Sequence, residues 1–286
     1  MGYQALYRKF RPRTFDEVLG QEHITTILKN QILNDNIAHA YLFSGTRGTG
    51  KTSTAKIFAR AVNCENNTNG NPCNECEVCK KIQDESIMDV VEMDAASNNS
   101  VDDIRELREK VKYLPSKGRY KVYIIDEVHM LSKGAFNALL KTLEEPPKHL
   151  LFILATTEPQ KLPATILSRC QRYDFKRLNM KDIVDNMKTI CNDIDVEIED
   201  RGLHLIARNA DGAMRDALSI LDQCVSFAEG KITHDYILSI LGTVNNDVYF
   251  DMADHIINKD LNKALELIEY IVLNGKDIKQ FIKDLI

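Results

Sequence analysis

A glycine-rich segment at residues 45–52 has the spacing of a phosphate-binding loop. It reads GTRGTGKT and matches the pattern G-x-x-x-x-G-K-[ST] at every defined position. In such a loop backbone N–H groups cradle phosphates, the lysine reaches the β- and γ-phosphates, and the next hydroxyl binds Mg²⁺. A chance glycine turn is the alternative, but a strand pattern precedes the segment and a helix pattern follows it. The loop residues are Gly45, Thr46, Arg47, Gly48, Thr49, Gly50, Lys51 and Thr52.

An acidic pair, Asp126 and Glu127, ends the apolar segment that begins at Lys121. A carboxylate at the end of a buried strand can supply a second magnesium contact, which we assign to Asp126. The neighbouring Glu127 is placed to orient or deprotonate an attacking water. Acidic pairs after a strand are also common in solvated turns, so this interpretation depends on the phosphate-binding loop.

Four of the seven cysteines lie within residues 64–79, a segment rich in Asn, Gly and Pro. The chain begins without an apolar export segment, which favours thiols or a metal over disulfides. Four thiolates could hold one tetrahedral Zn²⁺, which would be structural because no coordination position stays open. Ordinary reduced thiols are the alternative. The four residues are Cys64, Cys73, Cys76 and Cys79.

Several further polar residues carry only weak signals by themselves. Thr156-Thr157 follows the apolar run 150–154 and would lie near a γ-phosphate if the sheet is parallel. The tripeptide SRC at 168–170 and the residue Arg215 are unremarkable in isolation, since most arginines are solvated or paired at surfaces. His129 has no second ligand nearby in the sequence, so no metal role is predicted for it.

Hydrophobic periodicity predicts the strands and helices that must position these residues. Between about residues 40 and 175, apolar runs alternate with helical patterns, one of them opened by the capping pattern Ser100-x-x-Asp103. Such alternation predicts α/β architecture with a parallel sheet flanked by helices. The predicted strands are 41–43, 90–93, 122–125 and 150–154.

Beyond Lys176 only helical patterns remain, at about 180–193, 200–210 and 214–228. We therefore predict a nucleotide-binding domain at 1–176, with the cysteine module at 64–79, a helical domain at 177–242, and a further helical region at 243–286. The chain stops at Ile286 within an apolar helical pattern. We expect it to be part of a longer protein.

Composition limits the class of protein. The 286 residues carry 37 basic and 42 acidic side chains, a net charge of −5, which excludes binding of DNA or anionic lipid through bulk positive charge. The apolar fraction of 44% and charged fraction of 28% are those of an ordinary globular protein. The most apolar stretch, 150–155, is far shorter than the roughly 20 residues of a membrane span. We expect a cytoplasmic protein without a membrane association.

Taken together, these segments resemble the γ/τ subunit family of bacterial DNA polymerase III, the AAA+ ATPase motors of the sliding-clamp loader. The resemblance spans nearly all of residues 3–225. A cysteine insertion after the phosphate-binding loop, combined with DEVH and SRC, is more specific than any single motif. The segments that carry it are YRKFRPRTFDEVLGQEH, HAYLFSGTRGTGKTS, the four-cysteine segment, VYIIDEVHMLS, FNALLKTLEEPP, ATTEPQKLPATILSRC and GAMRDALS.

The resemblance implies roles for individual residues. Thr157 matches sensor 1, which detects the γ-phosphate, and Arg215 matches sensor 2 on the helical lid. Arg169 matches the arginine finger that acts on ATP held by a neighbouring subunit. Ser53 extends the phosphate-binding loop. The positions that enclose adenine in the family are Tyr7, Arg11, Pro12, Val18 and Leu19.

The family likeness also implies ligands and partners. They are ATP, Mg²⁺ and Zn²⁺, the δ and δ′ subunits, further γ/τ copies in a ring, the β sliding clamp and primer–template DNA. Residues 243–286 would begin the collar through which the ring assembles. The related δ′ subunit has a degenerate nucleotide site, so the intact Lys51, Thr52, Asp126 and Glu127 favour the active subunit.

Two other functions remain open from the sequence. One is a Holliday-junction or replicative helicase, whose motors lack the zinc insertion combined with SRC. The other is a scaffold that binds ATP without hydrolysing it. No polymerase active site is expected, because no carboxylate set for nucleotidyl transfer stands out.

Overall fold

The computed structural model describes residues 3–84, 86–227, 230–241, 246–273 and 278–285. They divide into two units, which we describe separately. The first comprises Phe10–Asp182 and Gly212–Arg215; the second comprises Met1–Lys9, Ile183–Asp211 and Asp216–Ile286. The predicted boundary at 242/243 lies outside the described residues, and the one at 176/177 stays a prediction.

A five-stranded parallel sheet forms the centre of the first unit. Its order is β2-β3-β4-β1-β5, and every pair of neighbours is parallel. β1 and β4 are buried along their whole length, as expected for strands covered on both faces. The predicted α/β fold and its first four strands are confirmed. The strands are β1 Ala40–Ser44, β2 Val90–Asp94, β3 Lys121–Asp126, β4 Leu150–Thr156 and β5 Gln171–Asp174.

The strand β5 is not predicted by the sequence. Its four residues are QRYD, and only Tyr173 among them is buried. β5 lies at the edge of the sheet, where it pairs with β1. An edge strand needs no continuous apolar run, because it is not packed between two other strands. The pattern used to recognise buried strands is therefore absent from this segment.

Helices account for most of the remaining described residues. The helical patterns predicted at 180–193, 200–210 and 214–228 all correspond to helices, with ends shifted by at most a few residues. The α-helices are α1 Leu6–Lys9, α2 Glu22–Leu33, α3 Lys51–Asn63, α4 Glu77–Gln83, α5 Val101–Lys110, α6 Lys133–Glu144, α7 Ala164–Leu167, α8 Met180–Asp193, α9 Asp200–Asn209, α10 Met214–Phe227, α11 His234–Leu241, α12 Asn246–Ile257, α13 Leu261–Leu273 and α14 Ile278–Leu285.

Two apolar layers cover the faces of the sheet. Alternate residues of β4 enter different layers, because side chains of a strand point to opposite faces: Phe152 packs with α5 and α6, whereas Ile153 packs with α2 and α3. Both side chains are fully buried, as are Ile104 of α5 and Phe58 of α3. Burial of each contributes roughly 1.5–3 kcal/mol. The strand ends are thereby held at one rigid edge.

The start of α5 confirms the predicted capping box. Ser100 Oγ accepts the N–H of Asp103 at 3.1 Å, and Asp103 Oδ2 accepts the N–H of Ser100 at 3.0 Å. This exchange satisfies two donors that the first helical turn would otherwise leave without partners.

The second unit is helical. Buried apolar side chains of α8, α9 and α10, among them Met187, Ile206 and Leu221, face inward. Asp211 and Gly212, which separate α9 from α10, both have positive φ. Among the described residues, no helix has the length and apolar character needed to cross a membrane.

A buried carboxylate, Asp89, fixes the loop that leads into β3. Its oxygens accept the backbone N–H groups of Ser116 at 2.6 Å and of Lys117 and Gly118 at 2.8 Å. Burial by itself would raise the pKa of Asp89, but these backbone donors outweigh it and lower that pKa below its ordinary value. Asp89 therefore stabilises the fold as a carboxylate.

We expect Asp89→Asn to lower the free energy of unfolding by about 1–3 kcal/mol at neutral pH, because an amide cannot accept all three bonds. A carboxyl group with a depressed pKa stabilises the fold above its unfolded pKa, and this contribution is lost as pH falls through the folded value. The difference between variant and parent should therefore shrink below about pH 4. Thermal unfolding across pH measures it.

Ser116→Ala is the matched control, since it removes only the 3.1 Å hydroxyl contact to Asp89 and keeps the backbone donors. It should cost less than Asp89→Asn. Equal stability of Asp89→Asn and the parent at neutral pH would contradict the assignment.

Candidate functional site

The glycine loop, residues 45–50, connects β1 to α3 and needs glycine at three positions. Gly45, Gly48 and Gly50 have φ values of +149°, +78° and +100°, which side chains disfavour. A Cβ on Gly45 would lie 2.5 Å from the carbonyl oxygen of Phe175, and one on Gly48 would lie 2.7 Å from Cβ of Ala213. Conformation therefore disfavours larger residues at all three positions, and close packing adds to this at Gly45 and Gly48.

Lys51, the first residue of α3, lies buried within the curl of this loop. Its ammonium donates to the carbonyl oxygens of Gly45 and Thr46, both at 2.8 Å. Burial lowers the pKa of Lys51, and the nearby carboxylates of Glu127 and Asp126 act in the opposite direction. The loop thus encloses a cation beside the N-terminus of a helix, an arrangement suited to phosphate.

Thr52 and Asp126 place two oxygen ligands side by side. Thr52 Oγ1 donates to Asp126 Oδ2 at 2.8 Å. This contact arises because Ile125 pairs with Leu154 while Ser44 pairs with Thr156, so the ends of β3, β4 and β1 meet at one edge. A hydroxyl and a carboxylate are the hard oxygen donors that Mg²⁺ prefers, so this pair fits Mg²⁺.

Glu127 and Thr157 are in direct contact at the same edge. Glu127 has a φ of +47°, unusual for a residue with a side chain, and its Oε2 accepts from Thr157 through the backbone N–H at 3.2 Å and Oγ1 at 3.0 Å. The residues predicted as catalytic base and γ-phosphate sensor are therefore brought together.

Arg169 is paired within its own chain. Its Nη2 lies 2.8 Å from Glu144 Oε1, and its Nη1 donates to the carbonyl oxygen of Thr165 at 2.9 Å. The Arg169 side chain is about one-third exposed. The sequence offers no signal for Glu144 as its partner, since the two residues lie 25 positions apart.

Part of the predicted adenine pocket lies beside the start of α3. Arg11 Nε donates to Ser53 Oγ at 3.0 Å. Val18 is buried, and its Cγ1 would lie 3.9 Å from a Cβ on Gly50. Pro12 and Leu19 are partly buried in the same segment.

The remaining predicted nucleotide contacts come from other elements. Tyr7 belongs to α1, in the second unit. Arg215 is exposed and is the second residue of α10, two positions after the Ala213 that packs on Gly48. The segment that carries Arg215 thus adjoins the glycine loop.

The four clustered cysteines converge on one point. Their sulfur atoms all lie within 4.8 Å of one another, and Cys76 and Cys79 are buried. The N–H groups of Cys73, Cys76 and Cys79 donate to the preceding cysteine sulfur at 3.3–3.4 Å, which fixes the positions of these sulfurs. Tetrahedral metal–sulfur bonds of about 2.3 Å put sulfurs about 3.8 Å apart, so the cluster can hold a metal ion.

One residue of this site has no role predicted from the sequence. His129 lies in the turn Val128–Met130 against Glu127, Thr156 and Glu158. Two of these neighbours follow it by 27 and 29 positions. Only the short separation from Glu127 could have drawn attention to it.

Comparison of the chain with known proteins agrees with this geometry. The family model described as DNA polymerase III, delta subunit, matches residues 20–179, and the model described as the clamp loader subunit ATPase lid domain matches residues 182–230. The chain is 42% identical over 271 residues to the DNA polymerase III subunit gamma of Buchnera aphidicola, covering 95% of this chain and 73% of that protein. The chain belongs to the gamma/tau subunit family of DNA polymerase III.

Longer members of the family are also similar. The chain is 56% identical over its full 286 residues to the subunit tau of Bacillus subtilis, of which it spans 51%. It thus covers about half of that relative. The predicted family is confirmed, and the AAA+ fold is supported by RuvB of Thermotoga maritima, described as a Holliday junction branch migration motor: the TM-score is 0.61 at 20% identity, covering 86% of this chain and 79% of RuvB.

Proposed function

We propose that the chain is the ATPase motor of a clamp loader, which uses ATP binding and hydrolysis to load a β sliding clamp onto primed DNA. The observation that carries this proposal is the meeting of Lys51, the Thr52–Asp126 pair and the Glu127–Thr157 pair at one sheet edge. Membership of the gamma/tau family supports the same function.

In the proposed mechanism, the glycine loop and Lys51 bind the β- and γ-phosphates of ATP. Thr52 and Asp126 would hold Mg²⁺, which supplies positive charge against the phosphate oxygens. Glu127 orients a water molecule and accepts its proton during attack. Thr157 detects the γ-phosphate through its hydroxyl.

Three further groups complete the proposed nucleotide site. Arg215 reaches the nucleotide from the start of α10, and the segment of Arg11, Pro12, Val18 and Leu19 encloses adenine. Arg169 acts on ATP bound by a neighbouring subunit. Its partner Glu144 is consistent with this role, since Glu144 is not one of the residues proposed to bind the nucleotide of its own chain.

We propose that the metal of the cysteine cluster is Zn²⁺ and that its role is structural. Four thiolates match the preferred ligands of zinc and leave no open position. The proposed partners are δ and δ′ subunits, other gamma/tau copies, the clamp and primer–template DNA, with the cytoplasm as location.

Two other functions are separated from this one by experiment. The similarity to RuvB concerns the fold alone, so it does not support a branch-migration function for this chain. A scaffold that binds ATP without hydrolysis would keep Lys51 but show no turnover. Measuring ATP hydrolysis with and without δ, δ′, clamp and primed DNA decides: stimulation by clamp and DNA is expected, and its absence from an assembled ring contradicts the proposal.

Substitutions of Lys51 and Glu127 should have different effects on ATP binding and ATP hydrolysis. We expect Lys51→Ala to weaken ATP binding about 10- to 100-fold, because a charged contact to phosphate is lost. We expect Glu127→Gln to preserve binding but lower turnover about 10²- to 10⁴-fold, because the amide cannot accept a proton. Equilibrium binding and steady-state turnover measure these effects.

Lys56→Ala is the control for the first variant, since Lys56 lies on the same helix and pairs with Glu92. It should leave both measurements nearly unchanged. Normal turnover by Glu127→Gln would show that Glu127 is not the base.

The purified chain should contain about one zinc per molecule by elemental analysis. Cys76→Ser should lose the metal and destabilise residues 64–79, which hydrogen exchange can resolve. Cys170→Ala, a cysteine outside the cluster, should retain the zinc. A fully folded parent without metal contradicts the proposal.

Arg169 should act in trans. We expect Arg169→Ala to keep the ATP affinity of the isolated subunit and to lower DNA-stimulated turnover of the ring by roughly 10³ or more, the range of arginine fingers. In rings that mix Arg169→Ala with Lys51→Ala subunits, interfaces with both groups intact should regain turnover. Arg172→Ala, three residues further on, is the control.

Confirmed mixed rings that stay as inactive as rings of either variant alone would refute trans action. Loss of ATP binding by isolated Arg169→Ala would do the same, because it would place the guanidinium at its own nucleotide.

A further inference from the structure

His129 is a nearly buried imidazole placed between two carboxylates. Its side chain is 6% exposed. Nδ1 lies 3.3 Å from Glu127 Oε2 and 3.0 Å from Thr156 Oγ1, while Nε2 lies 3.4 Å from Glu158 Oε1. One edge of the ring therefore faces the proposed base, and the other faces Glu158.

The contacts favour a proton on Nδ1. Nδ1 is hydrogen-bonded to Thr156 Oγ1 at 3.0 Å, and Glu127 Oε2 lies 3.3 Å from the same nitrogen, so one Nδ1–H faces both oxygens. A bare Nδ1 would instead face the Glu127 oxygen with two lone pairs opposed. Glu158 is about one-third exposed and also pairs with Lys161 at 2.8 Å, so its carboxylate can turn away from Nε2. With its proton on Nδ1, the imidazole presents an N–H to Glu127 Oε2 as well as to Thr156 Oγ1.

Two kinds of contact orient the Glu127 carboxylate: one can rotate away toward phosphate, and the other stays in place. The Thr157 hydroxyl donates to Glu127 Oε2, yet this hydroxyl is also the proposed sensor of the γ-phosphate, and a hydroxyl that rotates its proton toward phosphate no longer donates to Glu127. His129 is held by its burial and by Thr156, whose Oγ1 in turn accepts the N–H of Glu158 at 3.0 Å. When the Thr157 hydroxyl turns to phosphate, His129 and the backbone N–H of Thr157, which donates to Glu127 Oε2 at 3.2 Å, therefore remain, and His129 is the side chain among them.

We infer that His129 is a positioning residue for Glu127, holding its carboxylate through Nδ1 in the orientation needed to accept a proton from water. The inference rests on the proposed ATPase function and assigns no direct contact with ATP to His129. The sensor of the γ-phosphate, Thr157, and the residue that orients the base, His129, are then two different residues.

The test uses the full-length protein in rings assembled with δ, δ′, clamp and primed DNA, at saturating ATP. The amide nitrogen of Asn takes the place of His Nδ1, that of Gln takes the place of Nε2, and Leu has nearly the shape of Asn without a donor. We expect His129→Asn to keep kcat within about threefold of the parent. We expect His129→Gln and His129→Leu to lower kcat about 10- to 100-fold with little change in ATP affinity.

A second measurement distinguishes positioning from packing. In a Glu127→Gln background the base is already absent, so His129→Leu should cause no further loss of kcat. If Leu does not fold, the comparison of Asn with Gln provides the same test with two polar side chains.

Equal losses for Asn and Gln, or a full additional loss in the Glu127→Gln background, would overturn the inference. So would unchanged kcat in Gln and Leu when the parent hydrolyses ATP, while the proposed function would stand. A parent ring that binds ATP without hydrolysing it would overturn the proposed function and this inference together.

Discussion

The parallel register of β3, β4 and β1 is the constraint on which the site depends. Because Ile125 pairs with Leu154 and Ser44 with Thr156, the strands deliver their last residues to a single edge. Strands buried on both faces carry almost no polar side chains along their length, so the polar groups collect where the strands stop. The glycine loop, the acidic pair and the threonine pair are all found there. A shift of one residue in any of these pairings would reverse which side chains face each layer.

A second property of this edge is that its polar groups are already bonded to one another. Lys51 donates to two loop carbonyls, Thr52 donates to Asp126, and Thr157 donates to Glu127. This mutual bonding avoids the cost of burying polar atoms without partners, which is about 1–3 kcal/mol for each group. Where a ligand exchanges one of these contacts for its own, the difference between the two sets of contacts, and not their sum, determines the affinity.

The sequence predicts best what depends on short spacing. Lys51, Thr52 and the acidic pair are recognisable because their motifs are local, and the four cysteines because they crowd into one segment. The central strands are recognisable because burial on both faces requires continuous apolar runs. β5 was missed because it is a polar edge strand, and Asp89 because its partners lie 27–29 residues away. His129 and Glu144 belong to the same class, since their contacts exist only after the strands have aligned. The roles assigned to the site residues, and the domain boundaries, stay predictions.

The pairing of Arg169 with Glu144 orders the Arg169 side chain before any other anion binds to it. A partly exposed ion pair contributes only about 0–1 kcal/mol, so a stronger acceptor can displace Glu144 at small cost. The pair nevertheless keeps a long side chain in one rotamer, and ordering such a chain from solution costs up to about 2 kcal/mol. An anion that arrives at Arg169 therefore meets a guanidinium whose ordering has already occurred on folding. Glu144 thus keeps the guanidinium ordered while remaining an exchangeable partner.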